Sequence, residues 1–431
     1  MKLLIDNVSI IPMTEENYII EKGFIVIEGD SIQAVGIGNA PSDDYDQKID
    51  GTNRLALPGF VNAHTHAAMT LLRGYADDMP LMEWLEKKIW PLEARLTAED
   101  VYWGTMLAIV EMIKSGTTCF ADMYFFMDEV ARAVAQTGIR AVLARGMVGV
   151  GPENEQAITE SRALFNKWNG SSNGRINVIL GPHAPYTCPP DYMTKVMSLA
   201  EELNIGLHIH LAETAGEVAD SIKVYGQTPV AQMESLGLFD HQVLAAHCVH
   251  LTEQDIEILA KHQVGVVHNP ESNMKLASGI APVPEMLKAG IPVALGTDGA
   301  SSNNNLDMLQ ELRTCALLHK VNTMDPTVLP AYQALQMATT NGAKALWLDK
   351  QIGQLAKGKK ADIILCKLDQ AHMIPRYDLI ANLVYSGQAA DVDTVVIDGN
   401  IIMQDRIIKT LDEQEVLRHS KQAAERLVSP N

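Results

Sequence analysis

The chain has 431 residues, 47% hydrophobic and 20% charged, which is the composition of an ordinary globular protein and enough length for one large domain with a smaller one attached. Its 34 Lys and Arg against 53 Asp and Glu leave a formal net charge of −19, which repels polyphosphates and argues against nucleic acid or an anionic membrane as partner. The five cysteines, Cys119, Cys188, Cys248, Cys315 and Cys366, show no CxxC spacing, so neither a disulfide framework nor a thiolate zinc site is expected.

The opening MKLLIDNVSIIPMTEENY meets Asp6 early and lacks a small-residue cleavage site, so it does not read as a signal peptide. No segment approaches the roughly 18 to 20 apolar residues that span a bilayer, and a cytoplasmic protein is expected. LLIDNVSIIPM and FIVIEGDSIQAVG alternate as strands do, and ADIILCKL and DTVVIDGNIIMQ repeat the pattern near the other end, before an amphipathic stretch from about Leu411 to Leu427. Residues 1–55 and 360–431 are therefore expected to form one composite β-rich domain around a domain of residues 56–359.

That middle region carries eight short apolar runs, LALPGFVNA, GTTCFADM, IRAVLARGMV, INVILGPHA, GLHIHLAE, VLAAHCVH, GVVHNP and IPVALGTDG, separated by stretches of helical period. Such alternation predicts a parallel sheet, and eight units predict a (β/α)8 barrel of the TIM type. A residue able to bind a metal or move a proton ends one run after another: His64 and His66, His183, His210 and Glu213, His247, His268, and Asp298. Reacting groups of barrel enzymes gather at the C-terminal ends of the strands, because the loops there form the pocket.

His64 and His66, two residues apart, leave the same face of a strand. His210 and Asp298 would deliver a third imidazole and a carboxylate from strands five and eight. Three nitrogens and one oxygen suit zinc, and imidazole also suits iron, manganese or nickel. A bound zinc ion lowers the pKa of a bound water from about 15.7 towards about 7. Hydrolysis also needs a group that exchanges protons, and Glu213, three residues past His210, is placed for it; the alternative is a carboxylate that only complements the dipole of a helix starting near Thr214. His247 would steady the water, His250 faces elsewhere, and His208 shares a face with His210 without a clear role. The Met-rich stretch from Met69 to Met82 reads equally as lid or core.

Together PGFVNAHTH, HLAE, AAHCVH, HNPESNMKL and GTDGASSNNNLDM resemble the amidohydrolase superfamily, most closely its methylthioadenosine/S-adenosylhomocysteine deaminase branch. The resemblance implies a barrel with a small β-sandwich built from both chain ends, and one zinc per subunit on His64, His66, His210 and Asp298. It implies hydrolytic deamination of an adenosine-type nucleoside, with Glu213 shuttling protons, His247 orienting the water and Asp298 serving the reaction as well as the metal. Binuclear members carry a carbamylated lysine at the end of strand four, where this chain has His183, so one metal is expected and His183 would contact substrate.

By the same resemblance Glu93 would accept from the ribose hydroxyls and Trp84 would wall the pocket. Arg145 matches an arginine that members holding the amino-acid tail of S-adenosylhomocysteine pair with a second one about a dozen residues on; here that position is Ala157. Alanine cannot replace a bidentate guanidinium, so methylthioadenosine or adenosine is expected to be preferred, unless Arg162 compensates from a neighbouring turn. A guanine- or triazine-type hydrolase is the nearest rival and a noncatalytic barrel scaffold the rival of another class. A homo-oligomer is plausible for such enzymes, but no interface is legible.

Overall fold

In the computed structural model, which describes residues 1–151 and 154–429, the single apolar run LALPGFVNA is divided between two sheets. Arg54–Pro58 and Phe60–Thr65 are separate strands with Gly59 at the crossing. A Cβ on Gly59 would lie 2.1 Å from the Thr118 side chain, so only a residue without one lets the backbone pass.

The barrel strands are β1 (Phe60–Thr65), β2 (Thr117–Tyr124), β3 (Arg140–Met147), β4 (Ile176–Pro182), β5 (Leu207–Leu211), β6 (Val243–His247), β7 (Gly265–His268) and β8 (Val293–Leu295). Each pairs in parallel with the next, in sequential order. Side chain and backbone together draw β8 back to β1: Asp298 N–H donates to the His64 carbonyl at 2.9 Å, and the Asn62 amide both donates to Thr297 Oγ1 and accepts from Thr297 N–H, at 2.8 and 2.9 Å. Gly296 permits this approach, since a Cβ there would stand 2.8 Å from the His64 nitrogen. The expected α/β barrel is thus what the chain builds.

Strand alternation sorts the side chains. On β5, Leu207, Ile209 and Leu211 pack outward in the layer shared with the helices, which turns His208 and His210 inward. On β7, Val267 points into the interior with Val142, Ile179 and Leu244, while Val266 packs outward and His268 follows it. Burying an aliphatic side chain of this size is worth roughly 1.5–3 kcal/mol. Leu346, Leu348 and Ile352 belong to the same interior cluster. The helix Ala98–Lys114 starts at a capping box, in which Thr97 and Asp100 satisfy each other's backbone N–H.

The second sheet has nine strands and joins both chain ends, because Arg54–Pro58 pairs antiparallel with Ile363–Lys367 and in parallel with Lys2–Ile10. Bonds of 2.8 Å from Ile32 N–H to the Lys359 carbonyl and from Ala361 N–H to the Asp30 carbonyl tie its N-terminal wing to its C-terminal one. Ile25, Ile27, Ile363 and Val396 consequently share one apolar interior, as the layers of a sandwich do. The fully buried Arg140 links barrel to sheet, donating to both Asp362 oxygens at 2.8 and 3.0 Å and to Asp398 at 3.3 Å. The C-terminal amphipathic stretch is the helix Glu413–Val428, packed on Ala98–Lys114. Among the described residues no helix is long and apolar enough to cross a membrane.

Candidate active site

At the C-terminal mouth of the barrel, hydrogen bonds decide which nitrogen each imidazole shows. His66 Nδ1 lies 2.6 Å from the Met123 carbonyl and His210 Nδ1 2.7 Å from the His183 carbonyl. A carbonyl only accepts, so both Nδ1 atoms carry hydrogen, which in a neutral imidazole leaves the lone pair at Nε2. The two Nε2 atoms face each other at 3.2 Å, an arrangement that a cation between them would satisfy. Ligands about 2.0–2.1 Å from a tetrahedral ion sit about 3.3 Å apart. Asp298 Oδ1 lies 3.3 Å from both His64 Nε2 and His66 Nε2, and the buried His64 Nε2 has no hydrogen-bond partner among the described residues. Three nitrogens and one oxygen thus converge as a donor set for a divalent metal.

Asp298 is held for this position. Its Oδ2 accepts from Ser272 Oγ at 2.6 Å and Ser302 Oγ at 2.9 Å, which aims Oδ1 at the histidines. Its backbone is in the left-handed region, φ 61°, unusual for aspartate and maintained by the N–H bond to His64. Burial works against its charge, but His64, His66 and His247 outweigh that and hold the carboxylate well below its usual range.

His247, φ 73°, donates from Nδ1 to Asn273 Oδ1 at 2.9 Å and places Nε2 3.8 Å from Glu213 Oε2. Burial raises the proton affinity of Glu213, Asp298 adds to the rise, and His247 opposes it. The carboxylate that serves the following helix is a different one. Thr214 caps Ala215–Tyr225 by accepting from Glu217 N–H, and Glu217 accepts from Ala212 N–H and Glu213 N–H at 3.0 and 2.8 Å. Burial pushes Glu217 up to about 7, against those two bonds. Glu213 itself precedes the cap, and the T-x-x-E spacing from Thr214 to Glu217 was the legible signal of which carboxylate bonds the backbone at the helix start.

Over this group lies a cavity of about 500 Å³ whose walls include Trp84, Glu93, Arg145 and His183 as well as Glu213 and His247. Trp84 donates from Nε1 to the Ala76 carbonyl at 2.9 Å. Tyr124 OH donates to Glu93 at 2.8 Å, and burial outweighs that bond to push the Glu93 carboxyl up. His183 shares a 2.9 Å hydrogen bond with Thr187 Oγ1 and is held down to about 4 by burial, then by His66 and His247. Arg145 donates to Glu160 at 2.8 Å, and its guanidinium stands 5.3 Å from the Phe125 ring centre.

Ala157 faces the same cavity, whereas Arg162 does not line it and is spent on Glu202, 2.8 Å away. The compensation considered for Arg162 is thus not built. His250 turns to the Ser278 carbonyl, 2.6 Å away. Of the Met-rich stretch, Met69 is buried against the cavity and Met82 is half exposed. Tyr124, Ser272 and Ser302 were not read from the sequence; Tyr124 and Ser272 acquire their roles from partners distant in the chain, and Ser302 from Asp298 four residues before it.

A second group of metal-capable side chains lies outside the barrel wall, where His268 of β7 meets Cys315 and His319 of the helix Met308–Thr323. His268 Nε2 and His319 Nε2 are again 3.2 Å apart. Neither Nδ1 has a partner among the described residues, so nothing forces both rings to face each other with lone pairs, and one N–H···N bond satisfies the pair. The Cys315 thiol is pushed well up by burial and by Glu311, which disfavours the thiolate a metal needs.

A set of donors able to hold a divalent metal at the C-terminal mouth of a (β/α)8 barrel is the arrangement of a metal-dependent hydrolase, and the chain belongs to the amidohydrolase family, whose sequence model matches residues 55–402. The 5-methylthioadenosine/S-adenosylhomocysteine deaminase of Syntrophomonas wolfei subsp. wolfei is 67% identical over 99% of this chain and 100% of the relative, and that of Desulforamulus reducens is 54% identical over 99% of each. Within the family the chain falls in this group of hydrolytic deaminases, as its motifs implied. An adenosine deaminase from Xanthomonas campestris, solved with bound zinc, superposes with a TM-score of 0.94 at 36% identity over 99% of this chain and 98% of that one. A zinc complex of an Arthrobacter aurescens atrazine chlorohydrolase, at 24% identity and a TM-score of 0.91 over 98% of this chain, shares the fold alone.

Proposed function

We propose that the chain converts the 6-amino group of an adenosine-type nucleoside to the 6-oxo form and releases ammonia, with one zinc ion per subunit on His64, His66, His210 and Asp298. The observation that carries this reading is the pair of facing Nε2 lone pairs, with Asp298 Oδ1 beside them, at the base of a cavity that also holds Glu213 and Glu93. The ion, when bound, supplies a nucleophile from water at neutral pH. Glu213 Oε2 takes one proton from the attacking water and passes it to the purine ring nitrogen; it then relays the water's second proton to the amine, which leaves as ammonia as the C–N bond breaks, and its raised proton affinity suits both transfers. His247 Nε2, fixed by the Nδ1 bond to Asn273, stands across from Glu213 and orients the water. Glu93 accepts from the ribose hydroxyls, Trp84 packs on apolar parts of the substrate, and His183 contacts the base.

The 5′ end of the substrate is read by Arg145 and Ala157. Because Glu160 already neutralises Arg145 and Ala157 offers only a methyl group, a carboxylate tail finds no free bidentate partner there. An uncharged methylthio group is the better fit, so methylthioadenosine is preferred over S-adenosylhomocysteine. Zinc-loaded protein should be incubated with methylthioadenosine, S-adenosylhomocysteine, adenosine and guanine, following the ultraviolet change from 6-amino to 6-oxo purine, with a chelated control. Metal-dependent turnover of methylthioadenosine, weaker on the homocysteine compound, is expected. Silence on every adenosine from metal-containing protein would sink the reading, and equal efficiency on both thioethers would sink the preference. Ala157→Arg should raise kcat/KM on S-adenosylhomocysteine relative to methylthioadenosine by about tenfold, the effect of one charge-assisted hydrogen bond of about 1.5 kcal/mol.

A further inference from the structure

A ligating imidazole must carry hydrogen on the nitrogen that does not bind the metal. For His66 and His210 that hydrogen is held by backbone carbonyls, which admit one tautomer only. His64 is different. It is fully buried, and its Nδ1 meets a side chain, His208 Nε2, at 2.9 Å, a nitrogen that can donate as well as accept. If His208 donated, His64 would carry its hydrogen on Nε2 and point it at Asp298, with no lone pair left for a metal.

Resting on the metal site proposed above, we infer that His208 is the positioning residue for His64: its Nε2 accepts from His64 Nδ1–H, with its own hydrogen on Nδ1, and so fixes His64 Nε2 as a metal-facing lone pair. The two-residue spacing in LHIHL lets one strand, β5, supply both a metal-facing imidazole, His210, and the buttress of another. The edge-on packing of the two rings, with centres 4.9 Å apart and planes at 80°, suits a bond from a ring N–H of one to a ring nitrogen of the other.

The arrangement has a cost that packing alone would not incur. His208 Nδ1 is buried without a partner among the described residues, and an unsatisfied buried donor costs about 1–3 kcal/mol, whereas an aliphatic side chain would suit the neighbouring Leu244 without it.

The test compares His208→Phe, which keeps a ring but removes the acceptor, with His208→Gln, whose side-chain oxygen can accept near the same place. Zn2+ affinity is measured by competition with a chromophoric chelator, and urea unfolding of the metal-free proteins reports folding. His208→Phe should bind Zn2+ about 10–100-fold more weakly, with His208→Gln closer to wild type and the metal-free stabilities alike. Wild-type affinity in His208→Phe, or Gln no better than Phe, would overturn the inference. Histidine-selective 15N spectra of the zinc-loaded wild-type protein read the tautomers directly, and hydrogen on His208 Nε2 would overturn it even if neither variant folded. A wild-type protein that takes up no Zn2+ would instead overturn the metal site itself.

Discussion

Two groups of imidazoles in this molecule share a spacing and differ in everything that surrounds it. At the barrel mouth His66 and His210 face each other at 3.2 Å, and behind the wall so do His268 and His319. The first pair has both outer nitrogens bound to carbonyls, a carboxylate 3.3 Å from His66 and a cavity above. The second pair has outer nitrogens without a partner among the described residues, a buried thiol and no exposure. Distance between ligand atoms therefore does not by itself define a metal site; the atoms bonded to the far side of each ring do, because they determine whether a lone pair or a hydrogen points inward.

The sharpest way to break this comparison is to remove one non-histidine member from each group. Asp298→Asn deletes the anionic donor, and both metal content and kcat should collapse, the latter by about 10³-fold or more given the several kcal/mol that metal polarisation supplies. Cys315→Ser should leave metal content unchanged and kcat within about twofold, as for a group that takes no part in the ~8–23 kcal/mol of barrier lowering. Metal analysis and steady-state rates on the same preparations decide it: loss of metal from the serine variant would mean that the second group binds an ion after all.

Glu213→Gln sharpens the first group from within. Gln cannot relay a proton, so kcat should fall about 10²–10⁴-fold while metal content stays at the wild-type level, since Glu213 is not among the converging donor atoms. A variant that loses metal in parallel with rate would show that Glu213 supports the metal donors rather than the proton transfer.

How much of this was legible follows the same division. The barrel was readable because apolar runs and helical periods alternate over the whole middle of the chain, and the convergence of the proposed metal donors because HxH, HLAE and GTDG each put chemistry at a strand end. His268 was readable as a strand-end residue too, but not its direction: one step of strand parity sends Val267 into the barrel and His268 out of it. The run LALPGFVNA gave no sign that it would serve two sheets, since the division rests on Gly59 passing Thr118, a contact across 59 residues of chain. Tyr124 and Ser272 are common residue types whose roles come from tertiary partners. Ser302 and Glu217 were omissions with a local basis, the first lying four residues after Asp298 and the second in the T-x-x-E of a helix start.

The smallest effect distinguishes the two groups by pH. Burial holds His319 down to about 4 from an ordinary 6.5, so between those values the unfolded chain binds the proton and the folded chain does not. Folding stability from this residue is then fully present above about pH 6.5 and is lost as pH falls towards 4, in total on the order of 3 kcal/mol for a shift of this size. His319→Gln should remove that share, giving a shallower decline in urea-unfolding midpoint from about pH 6.5 to 4 than wild type. Both proteins are compared after chelation, so that protons exchanged at the barrel mouth by metal release do not enter. Parallel declines would mean that His319 is protonated in the folded state, with its hydrogen shared to His268, and the contrast between a metal-facing pair and a self-satisfied neutral pair would have to be redrawn as one between a metal and a proton.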